Sequence, residues 1–381
     1  MREVKIIGAG MTNIGKFRDR TESDLGQEAC LNAIADAEID LRRIETVYCG
    51  HVFQGHVMGQ RVTTRLGLGG IPVTNCENYC SSGATALREG WMAIQSGLYD
   101  VVLVFGVEKM TGKVTSVIAP DTEDIEGAFG LMMAALYAMR GLRHMAQYGT
   151  TREQIAMIPV KNHKMGCLNP RAQYRREITV EEVLNAPLVA DPLTVLDCSP
   201  RGDGAAAVIL CSGEAAKKYG SASKTVTLAA STLTSGVLEV TPTDMTFEDI
   251  TWRAARQAYE MAACSPGDID LAEVHDSFSV AELLRIEGLG LVPRGEGGRW
   301  IEEGRTSLGG VIPVNVSGGL LAKGHPLGAT GIAQVCEIVW QLRGEAGARQ
   351  VAGAKIGLAH CRGGTVVGTE GGACTVQIIK R

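Results

Sequence analysis

Short apolar runs alternate with stretches of helical periodicity along the chain. Val4–Ile7 predicts a strand, and the Ala/Leu spacing from Leu25 to Ala37 predicts a helix. Val47–Cys49 predicts a second strand, and a helix beginning near Cys80 continues through Arg88–Ser96. Asp100–Val107 holds an unbroken apolar run, the pattern of a strand covered on both faces, and Asp203–Leu210 holds another. The order then returns: helix near Trp252–Ala262, strand near Leu271–Val274, helix from Gly331 to Leu342, strand near Lys355–Ala359. Such alternation predicts an α/β protein with parallel or mixed sheets covered by helices.

The return is a duplication. Thr21 to Phe53 aligns without a gap to Thr246 to Phe278, at an offset of 225 residues. Identical pairs include Asp24/Asp249, Ala33/Ala258, Ile44/Ile269 and Phe53/Phe278. Further on, Cys80-Ser81-Ser82-Gly83-Ala84-Thr85 is echoed by His325-Pro326-Leu327-Gly328-Ala329-Thr330, each first residue being followed three places later by Gly-Ala-Thr. The period is far too long for a solenoid. Two halves follow, residues 1–218 and 219–381, with a seam near Ser212–Tyr219. Residues 111–195 break the rhythm and predict an insertion between strands of the first half.

At 381 residues the chain has material for a large core, and its net charge of −5 argues against nucleic-acid or anionic-membrane partners. Its 48 glycines and 5% aromatic residues suit close backbone packing. The 11 cysteines are an odd number with no C-x-x-C, and no signal peptide precedes Val4, so free thiols in a reducing cytoplasm are expected, with no disulfide framework and no metal site. The longest apolar run, Gly127–Met139, is too short to span a bilayer. Gly8-Ala9-Gly10 lacks the third glycine of a dinucleotide loop, since position 13 is Asn13.

Four residues carry candidate chemistry. Cys80 opens a helical pattern, where the helix dipole favours a thiolate. His325 sits among glycines that weaken a fold unless the backbone must approach something closely. His275 ends a predicted strand, where α/β proteins place site residues, and its imidazole N–H can stabilise an enolate or oxyanion; a plain ion pair with Asp276 is the structural alternative. Cys361 follows another strand, with Gly363 offering an amide beside it.

Three motifs resemble the thiolase superfamily: Cys80-Ser81-Ser82-Gly83, Gly324-His325-Pro326-Leu327-Gly328-Ala329-Thr330-Gly331, and Cys-x-Gly-Gly at Cys361 to Gly364. His275-Asp276-Ser277-Phe278, Lys161-Asn162-His163 and the stretch from Asp191-Pro192 to Ala207 are similar to the sterol-carrier-protein (lipid-transfer) branch and its bacterial and archaeal relatives. The resemblance implies the thiolase fold: five layers (α-β-α-β-α), a homodimer, and an inserted loop domain covering coenzyme A. It implies Cys80 as acylated nucleophile, His325 as its activator, and His275 with His325 around the thioester oxygen. The amides of Cys80 and Gly363 would form a second oxyanion hole, and Ser199, Ser317 and Gly318 would contact the pantetheine arm. Coenzyme A enters as co-substrate, with no permanently bound cofactor. One residue departs from the branch: Ser277 stands where sterol-carrier-type members often carry the acid/base cysteine. A hydroxyl is a poor proton shuttle at neutral pH, so Cys361, at the position used by ordinary thiolases, takes that role. The segment Thr365 to Glu370 is longer than the family pattern.

The activity implied is thiolytic cleavage of a 3-oxoacyl-CoA, or the reverse Claisen condensation, with a fatty, sterol side-chain or aromatic substrate such as benzoylsuccinyl-CoA. A second reading is an acyl-CoA-binding, lipid-transfer or aldolase subunit dependent on a small OB-fold/zinc-ribbon partner. A third, a decarboxylating ketosynthase, is disfavoured by the second thiol. Within the insertion, Met132, Met133 and Met139 are expected to line the acyl pocket or the dimer seam. Lys161, Lys164, Arg171, Arg175 and Arg176 are expected near the phosphates of coenzyme A.

Overall fold

The computed structural model describes residues 2–114, 118, 123–237, 244–366 and 371–381. Among these residues eleven strands run in chain order: β1 Val4–Met11, β2 Thr46–Gly50, β3 Val73–Cys76, β4 Val101–Glu108, β5 Leu188–Ala190, β6 Leu193–Thr194, β7 Gly204–Ser212, β8 Val226–Thr234, β9 Leu271–Glu273, β10 Ile356–Thr365 and β11 Gly371–Lys380. β5 and β6 form a hairpin, and the other nine make one mixed sheet ordered β3-β2-β4-β7-β1-β8-β11-β10-β9. β1 and β8 pair at its centre, with Lys5 opposite Thr227 and Ile6 opposite Val226. Outward from that seam the halves mirror each other, β7-β4-β2 against β11-β10-β9.

The duplication extends to local detail. The offset of 225 carries the 3-10 turn Leu41–Arg43 onto Pro266–Asp268, and β2 onto β9. It also carries Glu38 onto Ala263, and both cap their helices in the left-handed region, with φ of 54° and 48°.

The helix Glu22–Ala37 begins with a capping box between Thr21 and Asp24, worth about 1 kcal/mol, and covers β1 and β7 from outside. Its approach is close: a Cβ on Gly8 would lie 2.2 Å from the Ala33 carbonyl oxygen, and one on Gly10 would lie 2.4 Å from the Ala33 nitrogen. These glycines therefore serve helix–strand packing and not a phosphate loop. The helix Asp249–Ala262 covers β8 and β11 in the same way. Between the two half-sheets lie the helices Ser82–Gln95 and Leu327–Arg343, completing five layers. Every residue of Leu327–Arg343 is buried, as expected of a central helix. The two central helices cross at the Gly-Ala-Thr echo, where a Cβ on Gly83 would lie 2.4 Å from the Gly328 carbonyl oxygen. The echo is thus a packing signature as well as a chemical one.

The chain between β4 and β7 holds the helices Met133–Tyr148, Arg152–Leu168 and Val180–Leu184 and the β5–β6 hairpin. Although it interrupts the first half, its apolar residues Tyr137, Ala138, Ile155, Ile158 and Leu193 join the core of the second half. Part of this insertion, and the Val367–Glu370 portion of the segment after Cys361, lie outside the described residues. Among the described residues, no helix is long and apolar enough to cross a membrane.

Candidate active site

The turn from Glu77 to Ser81 presents Cys80 at the start of the first central helix. Tyr79 sits at φ 53°, a left-handed conformation that costs a non-glycine residue on the order of 1–3 kcal/mol. The turn is held by its own hydrogen bonds. Asn78 N donates to Ser82 Oγ at 2.9 Å, Asn78 Nδ2 to Thr85 Oγ1 at 3.0 Å, and Ser81 N to the Asn78 carbonyl at 3.0 Å. Thr85, the last residue of the first echo, therefore anchors the turn that carries the nucleophile candidate.

Thr330, the last residue of the second echo, orients the histidine. Its hydroxyl donates to the Pro326 carbonyl at 2.9 Å, leaving a lone pair for His325 Nδ1 at 2.8 Å. Nδ1 must then carry the proton, and Nε2 faces Cys80 Sγ at 3.3 Å with its lone pair. The thiol and the base are thus in contact and in the right tautomer. Burial pushes the Cys80 thiol up to about 12, with Glu108 adding to the shift and Arg285 opposing it. Burial and then Arg285 bring His325 down to about 3. At neutral pH the resting pair is therefore a neutral thiol and a neutral imidazole.

His275 lies just beyond β9. Its ring meets that of His325 edge to face, with centroids 5.0 Å apart. It is buried, and neither ring nitrogen has a hydrogen-bond partner among the described residues. Burial, then His325, then Arg285 hold it well below the usual imidazole value. A buried imidazole with both nitrogens vacant, beside a thiol and its base, is a preset donor for a substrate oxygen. Cys80, His275 and His325 are also the one group of described residues close enough to hold a metal ion, with ligand atoms within 4.8 Å of one another.

Cys361 sits on β10, with its Sγ donating to the Cys80 carbonyl at 3.1 Å. Burial first, then Cys80, raises it well above the usual thiol value. Gly363 presses against the nucleophile turn, where a Cβ would lie 1.9 Å from the Asn78 carbonyl oxygen. Only glycine fits there. Apolar side chains from Val52, Phe53, Tyr79, Met110, Val114, Ile118 and Leu327 surround Cys80.

A thiol, its base, a vacant imidazole and a second thiol converge in this way from both halves of a duplicated fold. The family models agree with the geometry: thiolase, N-terminal domain, matches residues 4–214, and thiolase C-terminal domain-like matches residues 235–370. The chain belongs to the thiolase family. It is 47% identical over 390 residues, 100% of both chains, to an acetyl-CoA acetyltransferase of Methanothermobacter thermautotrophicus. It is 41% identical over 397 residues to sterol carrier protein 2 of Oryctolagus cuniculus, covering 99% of this chain and 72% of that protein. It is 39% identical over 369 residues, 95% of each chain, to the benzoylsuccinyl-CoA thiolase subunit BbsB of Thauera aromatica. Among solved structures, the Ltp2-ChsH2(DUF35) aldolase superposes with a TM-score of 0.87 at 25% identity, covering 99% of this chain and 97% of that one. The family's reaction class is coenzyme A-dependent acyl transfer.

Several expected site residues of this thiolase lie elsewhere. Asp276 is not the partner of His275; its carboxylate accepts from the amides of Leu320 at 2.7 Å and Leu321 at 3.3 Å. Ser317 is buried, with its hydroxyl donating to Glu273 and its amide donating to the same carboxylate at 3.0 Å, so its side chain is not offered to a pantetheine arm. Gly318, at φ 99°, is packed against Gly166, where a Cβ would lie 3.0 Å from the Gly166 Cα. Both residues shape the loop beneath His325. Ser199 does run beside the site, its amide donating to the Ser277 carbonyl at 2.9 Å. Lys161 is buried and paired to Glu282 at 2.7 Å, and Arg171 stacks on Trp340 at 4.4 Å, so neither is presented to a phosphate. Lys164, Arg175 and Arg176 are exposed.

Sequence reasoning missed Arg285 and Glu108. Arg285 is buried and donates to the carbonyl of His275 and the hydroxyl of Tyr137, and Tyr137 stacks on Phe278 at 4.8 Å. Glu108, at the end of β4, accepts from Val52 N and Phe53 N at 3.0 Å and from Gly328 N at 2.9 Å, tying the second central helix to the loop after β2. The available signal was Glu108, a charge ending an otherwise apolar strand; Arg285 shares its helix with Glu282 and Glu287, and nothing in the sequence singled it out.

Proposed function

We propose that this thiolase cleaves a 3-oxoacyl-CoA, or forms one by Claisen condensation, through an acyl-enzyme on Cys80. The contact between Cys80 Sγ and His325 Nε2 at 3.3 Å, beside the vacant ring of His275, carries the reading. In cleavage, His325 takes the thiol proton as Cys80 attacks the 3-oxo carbon. The amides of Cys80 and Gly363 hold the oxyanion. Carbon–carbon cleavage leaves the acyl group on sulfur and an enolate whose oxygen is held by His275 and His325. Cys361 protonates the enolate carbon and becomes a thiolate, and the CoA thioester so formed departs. The Cys361 thiolate then takes the proton of incoming coenzyme A, whose sulfur attacks the acyl carbon; the Cys80 thiolate leaves and regains the proton held by His325. Cys80→Ala is expected to fold, bind acyl-CoA and form no acyl-enzyme. Full turnover by that variant sinks the assignment.

The substrate follows from a thiolysis panel of acetoacetyl-CoA, longer fatty, sterol side-chain and aromatic 3-oxoacyl-CoA thioesters. The apolar shell around Cys80 favours an uncharged acyl group next to the reacting carbon.

We also propose a homodimer and a cytoplasmic location. β3 ends the order of the sheet and offers an edge to a second copy. A second reading is a subunit that acts with an OB-fold/zinc-ribbon protein. It is favoured by likeness to one relative named as a subunit and to an aldolase solved with a DUF35 protein. Turnover by the purified chain alone, against turnover with its genomic neighbour, separates the two.

A further inference from the structure

His275 and His325 reach the site from segments 50 residues apart in sequence, and the two segments meet on one carboxylate. Asp276 follows His275 directly and turns away from its ring. Its Oδ1 accepts from Leu320 N at 2.7 Å and its Oδ2 accepts from Leu321 N at 3.3 Å. These amides belong to the helical turn Gly319–Lys323, which leads through Gly324 straight into His325. Asn162 Nδ2, on the inserted helix Arg152–Leu168, bridges Asp276 Oδ2 and Glu282 Oε2 at 2.8 Å each. Glu282 is held in turn by Lys161 at 2.7 Å and by Asn315 Nδ2 at 2.7 Å. The group is fully buried and tightly fitted, since a Cβ on Gly319 would lie 2.2 Å from Asp276 Oδ2.

We infer that Asp276 is a positioning residue that registers both site histidines against Cys80. One end of its segment is fixed because Asp276 is joined to His275 through the backbone, while its carboxylate pins the turn that delivers His325. Thr330 sets the rotation of the His325 ring, but the place of the ring along its segment depends on where the turn Gly319–Lys323 sits. The inserted helix enters the site through the same carboxylate, by way of Asn162. The inference rests on the roles proposed above for Cys80 and His325.

The test compares Asp276→Asn and Gly319→Ala with the parent. The first removes one acceptor and puts an amide N–H toward Leu321 N and Asn162 Nδ2. The second leaves the carboxylate intact and displaces it sterically. Each is read by kcat, KM, melting temperature and the rate of Cys80 alkylation by iodoacetamide as a function of pH, with Cys80→Ala as the blank. A displacement of about 1 Å at reacting groups costs on the order of 100-fold in rate. Each variant is expected to lose roughly 10- to 100-fold in kcat, with KM for acyl-CoA within about threefold. Cys80 alkylation should fall in parallel near neutral pH and converge with the parent at high pH, where solvent deprotonates the thiol without His325. The double variant should be no worse than the weaker single variant, because both break one link. Parent-like kcat and alkylation in the folded variants overturn the inference, as does a loss confined to KM or to melting temperature. If Asp276→Asn does not fold, Gly319→Ala and Asn162→Leu decide by the same criteria. Alkylation requires no acyl transfer, so it reports on Asp276 even if the acyl-enzyme assignment to Cys80 fails.

Discussion

Thr330→Val removes one hydroxyl at a buried site and leaves the bulk of the side chain in place. The Pro326 carbonyl keeps its partners, because it also accepts from Ala329 N and Thr330 N at 2.9 Å. The group left alone is the Nδ1–H of His325. A buried donor without a partner costs about 1–3 kcal/mol. Imidazole escapes that cost by moving its proton to Nε2, where it faces Cys80 Sγ and ends the role of His325 as a base. At about 1.4 kcal/mol per factor of ten, the base-competent tautomer falls roughly 5- to 150-fold. Acyl-enzyme formation, followed by rapid quench with excess 3-oxoacyl-CoA, should slow by that factor. KM should move less than about twofold and the melting temperature by a few degrees at most. Thr330→Ser restores the acceptor and should recover most of the rate. Acylation of Thr330→Val within about twofold of the parent refutes the tautomer argument.

Three further outcomes follow from burial, packing and surface charge. His275, His325 and His360 are all buried and depressed, His325 and His360 to about 3 by burial first and then by Arg285. Below the unfolded imidazole value of about 6.5 the unfolded chain takes up protons that the native state refuses, so this stability is present above that pH and lost on acidification. Three such groups steepen the loss toward about 4 kcal/mol per pH unit, and a urea midpoint unchanged between pH 7 and pH 5 contradicts it. In the inserted region, Met133 is partly exposed at the start of its helix, near Thr365, while Tyr137 of the same helix stacks on Phe278 beside His275. Alanine at Met132 and Met133 should change the preference among acyl chains with Cys80 alkylation unaltered, and an equal loss on all substrates with a lower melting temperature would assign them to packing. Removing Lys164, Arg175 and Arg176 together should raise KM for coenzyme A and leave acyl preference alone, and an unchanged KM drops them as phosphate ligands.

Much of this thiolase was legible in one dimension because its information is local or repeated. The alternation of apolar runs and helical periods placed most of the sheet. The offset between the halves survives down to matching left-handed caps at Glu38 and Ala263. The Gly-Ala-Thr echo marked both Cys80 and His325, since the same close helix crossing that demands glycine also brings the two helix starts together. β3, β8 and β11 went unread: β3 is four residues long, β8 and β11 mix polar residues over a stretch with no strong apolar run, and the place of β8 and β11 inside the sheet comes from pairing with β1 and with each other.

Charged and polar residues were the ones that only the tertiary structure decided. Lys161 looks like a surface cation in sequence, yet Glu282, far along the chain, makes it an internal one. Ser317 reads as a ligand contact until Glu273 claims its hydroxyl. Asp276 reads as the companion of His275 until the amides of Leu320 and Leu321 arrive to take its carboxylate. Periodicity reports which face of an element is buried, because that depends on near neighbours in the chain. The partner of a buried charge is supplied by segments 44 to 121 residues away in these cases, and removal from water makes that pairing obligatory once the fold has brought them together.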